Sequence, residues 1–287
     1  MNWDEKKTVL RKKIKEYTKG NVCIAFSGGV DSSLLLTLAC EGAARTGGKV
    51  YAVMLDTVLH PKGDVQTAKQ VAEKTVAIFQ VIRVDELGNP KIMENPKDRC
   101  YLCKRYLYEK ILDYAREVQA PVVIEGTNED DLHQYRPGLR AVKELGIRSP
   151  LAECGFTKEE VRKMAGEYKI STASRPSAPC LATRLPYGTR IQKEVLKKIE
   201  EGEEYIRQLG YGNVRIRVYQ NLVRLEVDPK DFGKVLTHKD RIIRKLKEHG
   251  AITNKKCGIH VHIDASPFDA RTLRNITNIM AAKEDLI

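Results

Sequence analysis

The chain has no apolar run approaching the roughly 20 residues that a membrane-spanning helix requires, so no membrane partner is expected. Its first residues, MNWDEKKTVLRKK, lack the apolar segment of a secretory signal, which makes the cytoplasm the expected compartment. Internal repeats and low-complexity segments are absent, which excludes a solenoid. Acidic residues are in the minority: 38 Asp and Glu against 50 Lys and Arg leave a formal charge of +12. That balance favours an anionic partner, but nucleotides and phosphorylated small molecules are anions too, so basicity alone does not select nucleic acid. The seven cysteines are an odd number without an export signal, which argues against a disulfide framework and for thiol or metal chemistry. At 287 residues, 42% hydrophobic and 31% charged, the chain can bury a sizeable core and reads as two domains.

What the chain does contain is organised around VCIAFSGGVDSS, Val22 to Ser33. Val22, Ile24 and Phe26 suit a strand interior. Ser27, Gly28 and Gly29 turn the backbone so that its N–H groups can surround an anion, and Asp31, Ser32 and Ser33 open a helix whose positive dipole end faces the same point. This is a phosphate cradle, but it is not a Walker A loop, because an Asp precedes Ser32 where that loop needs Lys. A carboxylate beside phosphate implies an intervening cation, so Asp31 reads as an Mg2+ anchor. The plainer alternative is an ordinary strand-turn-helix with a serine-rich cap.

Ser27, Gly28, Gly29, Asp31 and Ser32 match the SGGxDS signature without a gap, and here the chain resembles the PP-loop ATP pyrophosphatases. The resemblance implies that ATP adenylates a substrate oxygen and that the loop holds the departing pyrophosphate. The motif speaks to ATP use much more than to substrate.

Around the cradle the periodicities alternate. Val9, Leu10, Ile14 and Tyr17 form a helical stripe, Leu34, Leu35, Leu36 and Leu38 a buried helix, and 49–55 a strand. Helix (65–74), strand (76–84), a helix striped by Leu107, Ile111, Tyr114 and Val118, and a strand at 121–125 follow. The fold class is therefore α/β, a doubly wound parallel sheet with ligands at the strands' carboxyl ends. GTNEDD, from Gly126, lies at one such end, where Gly126, Asn128 and Asp131 can reach ATP or Mg2+; an Asx turn is the alternative. Thr157 and Glu160 form a capping box ahead of Val161, Met164 and Tyr168. Residues 171–190 lose periodicity, and Pro176, Pro179 and Pro186 dominate; so long an irregular stretch is usually functional or disordered. Beyond it, Val195, Ile199, Gly202, Ile206 and Leu209 mark an amphipathic helix, 214–219 and 222–227 a hairpin, 231–248 a helix and 258–264 a strand. The expected divisions are 1–175, 176–190 and 191–287, the last a small α+β domain.

Cys100 and Cys103 form one Cys-x-x-Cys at a helix start, where the dipole is expected to lower thiol pKa values. Cys180 stands in the irregular loop. No second Cys-x-x-Cys or nearby His-x3-His completes a closed zinc site. Three cysteines suit a 4Fe-4S cluster with one iron not ligated by protein, which can hold sulfide. A redox Cys-x-x-Cys and a zinc site with a distant His remain open alternatives. Cys23 and Cys40 read as core; Cys154 and Cys257 have no assignment. His260 and His262, beside Asp264 on one strand face, could bind a metal, but read as a solvated strand face because no other ligand cluster is visible.

PSAPCLATRLPYGT (Pro176 to Thr189), NEDDLHQYRPG and SPLAECGFTKEEVR extend the resemblance over nearly the whole chain, to the LarE family. That resemblance implies an ATP-dependent sulfur transferase acting on pyridinium biscarboxylic acid mononucleotide, whose carboxylate is adenylated and then converted to a thiocarboxylate for a nickel-pincer cofactor. Cys180 matches the family's sulfur-bearing cysteine. Some members sacrifice it; those with a Cys-x-x-Cys resemble cluster enzymes, and Cys100 and Cys103 favour the second mechanism here. Arg215 and Arg217 share one strand face, and Arg224 can join them. On residues alone this is a solvated face, but by resemblance Arg215 and Arg217 hold substrate phosphate, with Glu203 nearby and Arg184 in the Ser-Arg position, Thr183 replacing Ser. Tyr135 and Arg136 fall on the substrate side. The expected partners are a small-molecule nucleotide, a sulfide donor and further copies of the chain as a homo-oligomer. A tRNA thiolase is the leading alternative, though no RNA-binding appendage is recognisable; a non-catalytic ATP-binding or cluster-carrier protein is a third.

Overall fold

The computed structural model describes residues 2–60, 63–173, 179–219 and 222–248. The chain divides into two compact units, Met1–Ala182 with Tyr187–Lys193, and Thr183–Pro186 with the residues from Glu194 on.

The first unit is built on four parallel strands. After α1 (Trp3–Tyr17) come β1 (Val22–Ala25), α2 (Val30–Thr46), β2 (Val50–Thr57), α3 (Gly63–Ala72) and β3 (Ile78–Val84). Then follow α4 (Pro90–Met93), α5 (Arg99–Glu117), β4 (Val122–Ile124), α6 (Glu129–Leu132), α7 (Gly138–Glu144), α8 (Pro150–Glu153) and α9 (Lys158–Glu167). The strand order is β3-β2-β1-β4, with Val22 opposite Val50 on one side and Val122 on the other. Strand order reverses at β1, so the turns after β1 and β4 open beside each other, the topological switch point where open α/β sheets bind ligands.

Burial on both faces explains why these strands read as unbroken apolar runs. Val22, Ile24, Val50, Ala52 and Met54 pack with α1, α2, α3 and α9; Cys23, Tyr51, Val53 and Val123 pack against Ile111 and Ala115 of α5 and Val142 of α7. The doubly wound parallel sheet is thus present. Of the N-terminal stripe, Leu10 and Ile14 are buried whereas Val9 is 39% exposed: one residue off the packed face turns it to water. Cys23 and Cys40 lie in the core as expected, and Cys154 joins them. The Thr157–Glu160 capping box starts α9.

The second unit contains α10 (Lys193–Gln208, whose first residue belongs to the first unit), the antiparallel hairpin β5 (Val214–Tyr219) and β6 (Leu222–Val227), and α11 (Phe232–Glu248). Its core includes Leu196, Ile199, Ile206, Val214, Ile216 and Ile242. The expected stripe is shifted by one at its start, with Leu196 rather than Val195 fully buried. The expected strand at 258–264, with Cys257, His260, His262 and Asp264, lies outside the described residues.

Candidate functional site

The turn after β1 is shaped by two glycines. Gly28 adopts φ +70°, and a Cβ there would lie 2.9 Å from the Ala68 backbone of α3, so only glycine fits. Across the switch point, a Cβ on Gly126 would meet Asp31 Cβ at 3.0 Å and Ser32 N at 3.1 Å, which is how closely the two turns approach. No side chain caps α2, whose Ncap is Gly29; its first amides stay available to an anion. Ser27 Oγ lies 3.2 Å from Ser32 Oγ and accepts from Gly29 N at 3.3 Å, while Ser33 is fully buried, its Oγ accepting from Thr172 Oγ1 at 3.3 Å. The cradle is therefore braced from within by its own serines.

Asp31 is held from two distant segments. Asn128 Nδ2 donates to Oδ1 at 3.1 Å, and Lys158 at the start of α9 forms an ion pair with Oδ2. Asn128 also caps α6 in a box with Asp131, which pairs with Arg136 at 2.9 Å. Burial, with the nearby Asp31 charge, holds Asp131 above the usual aspartate range against the opposing pull of the Asn128 amide, Arg136 and Lys158. Ser27 to Ser33, Gly126, Asn128 and Asp131 thus converge on one place. Lys158 is a participant that sequence reasoning missed; its capping-box context marks a helix start but not what the amine reaches.

Glu125, directly after β4, is a second missed residue. It is 4% exposed and receives Lys104 Nζ at 3.2 Å, Tyr108 OH at 3.3 Å, Ser149 Oγ at 2.5 Å and Thr127 N at 3.0 Å. Burial alone would raise its pKa, but Lys104, Ser149 and Thr127 outweigh it and hold Glu125 below the usual glutamate range. Lys104 follows Cys103 directly, so this network ties the cysteine helix α5 to the nucleotide side of the sheet.

Cys100 and Cys103 occupy the first turn of α5, beside the buried Arg99. Arg99 Nη1 donates to Asn95 Oδ1 at 2.7 Å and to Ala182 O at 3.1 Å, and Nη2 to Cys100 Sγ at 3.3 Å. Leu181 N donates to Leu59 O at 2.8 Å, giving the Cys180 segment a second anchor. The three thiols are thereby gathered within one unit, and no disulfide joins the described cysteines. The thiol pKa values correct the sequence expectation. Burial pushes Cys103 well up, with Glu86, Cys180 and Cys100 adding to the push and Arg99 opposing it. Burial likewise raises Cys180 against Arg99 and the Ala182 amide. At Cys103 desolvation outweighs the helix N-terminus, and at both thiols burial favours the neutral form. Among the described residues no group of three or more His, Cys, Asp or Glu side chains is arranged to hold a single metal ion. Glu86, fully buried in the 3-10 turn Glu86–Gly88, accepts from Val58 N through Oε2 at 3.0 Å while Oε1 has no partner among the described residues.

In the second unit, Arg184 and Glu203 form a buried bidentate pair: Nε to Oε1 at 2.7 Å and Nη2 to Oε2 at 3.0 Å. Glu203 also accepts from Arg207 Nη2 and from Ile216 N, both at 2.9 Å. On the hairpin, Arg215 stands opposite Glu226 and Arg217 opposite Arg224. Glu226 Oε1 accepts from Arg217 Nε at 2.7 Å and Arg224 Nη2 at 2.6 Å, and Arg217 Nη1 donates to Thr183 O at 2.7 Å. Burial would raise Glu226, but Arg217 and Arg224 hold it below the usual range. Arg215 takes no part in these bonds. Glu226 was missed because a lone acidic residue on a hairpin carries no motif.

A glycine cradle at the switch point of a parallel sheet, with a carboxylate at the helix start, defines an ATP-using enzyme of the PP-loop class. A family model described as a PP-loop domain matches residues 4–134, and one described as an amidoligase enzyme matches residues 188–287. An uncharacterized protein of Synechocystis sp. is 38% identical over 207 residues, 72% of this chain and 76% of that protein. Another, of Methanocaldococcus jannaschii, is 36% identical over 242 residues, 84% of this chain and 91% of that protein. The pyridinium-3,5-bisthiocarboxylic acid mononucleotide synthase of Lactiplantibacillus plantarum is 32% identical over 245 residues, 85% of this chain and 87% of the synthase. The chain belongs to the LarE family of PP-loop ATP-dependent sulfurtransferases, to which that synthase belongs. No helix among the described residues is long and apolar enough to cross a membrane.

Proposed function

We propose that this enzyme adenylates a carboxylate of pyridinium biscarboxylic acid mononucleotide and converts it to a thiocarboxylate for a nickel-pincer cofactor, with sulfide carried on an iron-sulfur cluster. ATP phosphates lie on Ser27 to Ser33, with Gly126, Asn128 and Asp131 on the facing turn. Mg2+ through Asp31 would neutralise phosphate charge, competing with Lys158 for that carboxylate. The substrate carboxylate attacks the α-phosphorus and pyrophosphate leaves with the electrons of the broken P–O bond. Sulfide then attacks the acyl carbon, the C–S bond forms, and AMP departs with the C–O electron pair. The chain's contribution is positioning and charge neutralisation. Arg215 and Arg217 bind the substrate phosphate, for which the planar guanidinium fork is suited. Arg184 and Glu203 hold the strand that presents them.

The observation that carries this reading is Arg99, which binds Cys100 Sγ and Ala182 O at once and so fastens the Cys180 segment to the Cys-x-x-Cys helix. The donor set fits a cluster: three thiols sense one another electrostatically, beside one guanidinium and one buried carboxylate oxygen with no partner among the described residues. A cube also spaces its thiolates more widely than a single ion does. A 4Fe-4S cluster on Cys100, Cys103 and Cys180 would supply sulfide at its one iron not ligated by cysteine. The test is anaerobic purification with iron and acid-labile sulfide counted for the wild type and Cys180→Ala, then sulfide-dependent turnover with pyrophosphate measured. About four irons per chain, lost in the variant, and repeated turnover are expected. No iron, with loss of mass at Cys180 after one turnover, would overturn the cluster and leave Cys180 as the sulfur source.

A further inference from the structure

A carboxylate oxygen buried without a donor costs about 1–3 kcal/mol or more, and a fold retains such a group where something outside the polypeptide meets it. Glu86 is fully buried, and Oε1 has no partner among the described residues. Its other oxygen is fixed by Val58 N at 3.0 Å, which orients the carboxylate. The turn that carries it packs on α5, the helix of Cys100 and Cys103. The next residue after Val58, Leu59, accepts from Leu181 N at 2.8 Å, one residue beyond Cys180. Glu86 is thus joined through two consecutive residues to the Cys180 segment and by packing to the Cys-x-x-Cys helix. Its charge is felt at both Cys103 and Cys180. Arg99, the guanidinium at the Cys-x-x-Cys, is committed to Asn95, Ala182 O and Cys100. A buried carboxylate oxygen without a donor is unfavourable there, whereas beside an iron core it is a ligand, carboxylate being an established donor to iron.

Resting on the cluster reading above, we propose that Glu86 ligates through Oε1 the iron that the three cysteines leave open, and yields it when sulfide binds. The exchange breaks one Fe–O bond and forms one Fe–S bond, with no change of oxidation state. The carboxylate returns when sulfide leaves. Glu86 therefore shields the open iron from water and other anions between turnovers.

The test uses the full-length holoprotein, reduced with dithionite. With 13C-carboxyl-labelled glutamate, the wild type is expected to show a 13C hyperfine coupling on the cluster signal that vanishes on adding inorganic sulfide. Glu86→Gln is expected to lack the coupling while keeping its iron, and its sulfide titration followed by the same signal is expected to tighten about tenfold, if the carboxylate holds the iron about nine-tenths of the time. Full iron with no 13C coupling in the wild type, or an unchanged sulfide midpoint in Glu86→Gln, would overturn the inference and leave the cluster reading intact. A wild type with no iron would overturn both. Because the coupling is read on the wild type, a variant that fails to fold leaves the inference still decidable.

Discussion

Replacing Glu203 by Ala is expected to destabilise the second unit by at least about 3 kcal/mol. Glu203 is fully buried, and Arg184, its bidentate partner, is 4% exposed, so removing the carboxylate leaves a buried guanidinium without its counter-charge. Breaking a buried pair from one side costs about 3–5 kcal/mol. The Ile216 amide, which donates to Glu203 at 2.9 Å, loses its acceptor too, for a further ~1–3 kcal/mol, although effects within one network do not simply add. Arg207 is 35% exposed and turns to solvent at little cost. Replacing both members, as Arg184→Leu with Glu203→Leu, is expected to recover much of the loss, because apolar groups need no partner. Urea unfolding checks this. The single tryptophan, Trp3, reports the first unit alone, so its fluorescence transition should hold still while the far-ultraviolet circular dichroism loses amplitude at lower urea. A loss under about 1 kcal/mol, or a double variant no more stable than Glu203→Ala, would refute the reasoning. A stably folded Glu203→Ala that binds substrate poorly would return Arg184 and Glu203 to direct substrate contact.

Gly28→Ala meets both a left-handed φ and the Ala68 backbone at 2.9 Å, so the turn must shift; pyrophosphate release is expected to fall about 10²-fold with the first unit still folded. Asp31→Asn retains the Asn128 contact but not the charge, and Mg2+-dependent pyrophosphate release should fall by about 10²–10³. Arg99→Gln removes the cation beside Cys100 and the tether to Ala182; iron content should fall, and the cluster that remains should have a more negative reduction potential by redox titration. Glu125 is held below its unfolded pKa, so its stabilisation is present above the ordinary glutamate value of about 4.3 and is lost as pH falls through the folded value. Lys104→Met removes the chief opposing charge and should move the acid-unfolding midpoint upward, as followed by circular dichroism.

The features legible in the sequence are those whose cause is local. Val22 to Ala25 reads as a buried strand because apolar side chains fill both faces of a parallel sheet, and Gly28 is required by a backbone angle that the glycine announces. The Thr157–Glu160 box closes over three residues. What escaped the reading are the partners that charged side chains find across the chain. Asp31 finds Lys158 at a separation of 127 residues, Lys104 finds Glu125 across 21, and Arg184 finds Glu203 across 19. Sequence patterning assigns such side chains to the surface, since burial needs a partner that the window does not contain. The same limit decides the thiols. The start of α5 was correctly placed at the Cys-x-x-Cys, and a helix terminus does favour the thiolate, by about 0.3–1 kcal/mol when exposed. Desolvation of a buried ionisable group can reach 3–5 pKa units, about 1.4 kcal/mol each, and acts in the opposite direction. Cys103 is driven upward because the second effect is larger, and Cys180, away from that terminus, is driven upward by burial as well. Position on a helix can therefore be read from spacing, but ionisation depends on which distant elements close over that position. For these two thiols, those elements bring burial and the Glu86 carboxylate, which outweigh the opposing pull of the Arg99 guanidinium.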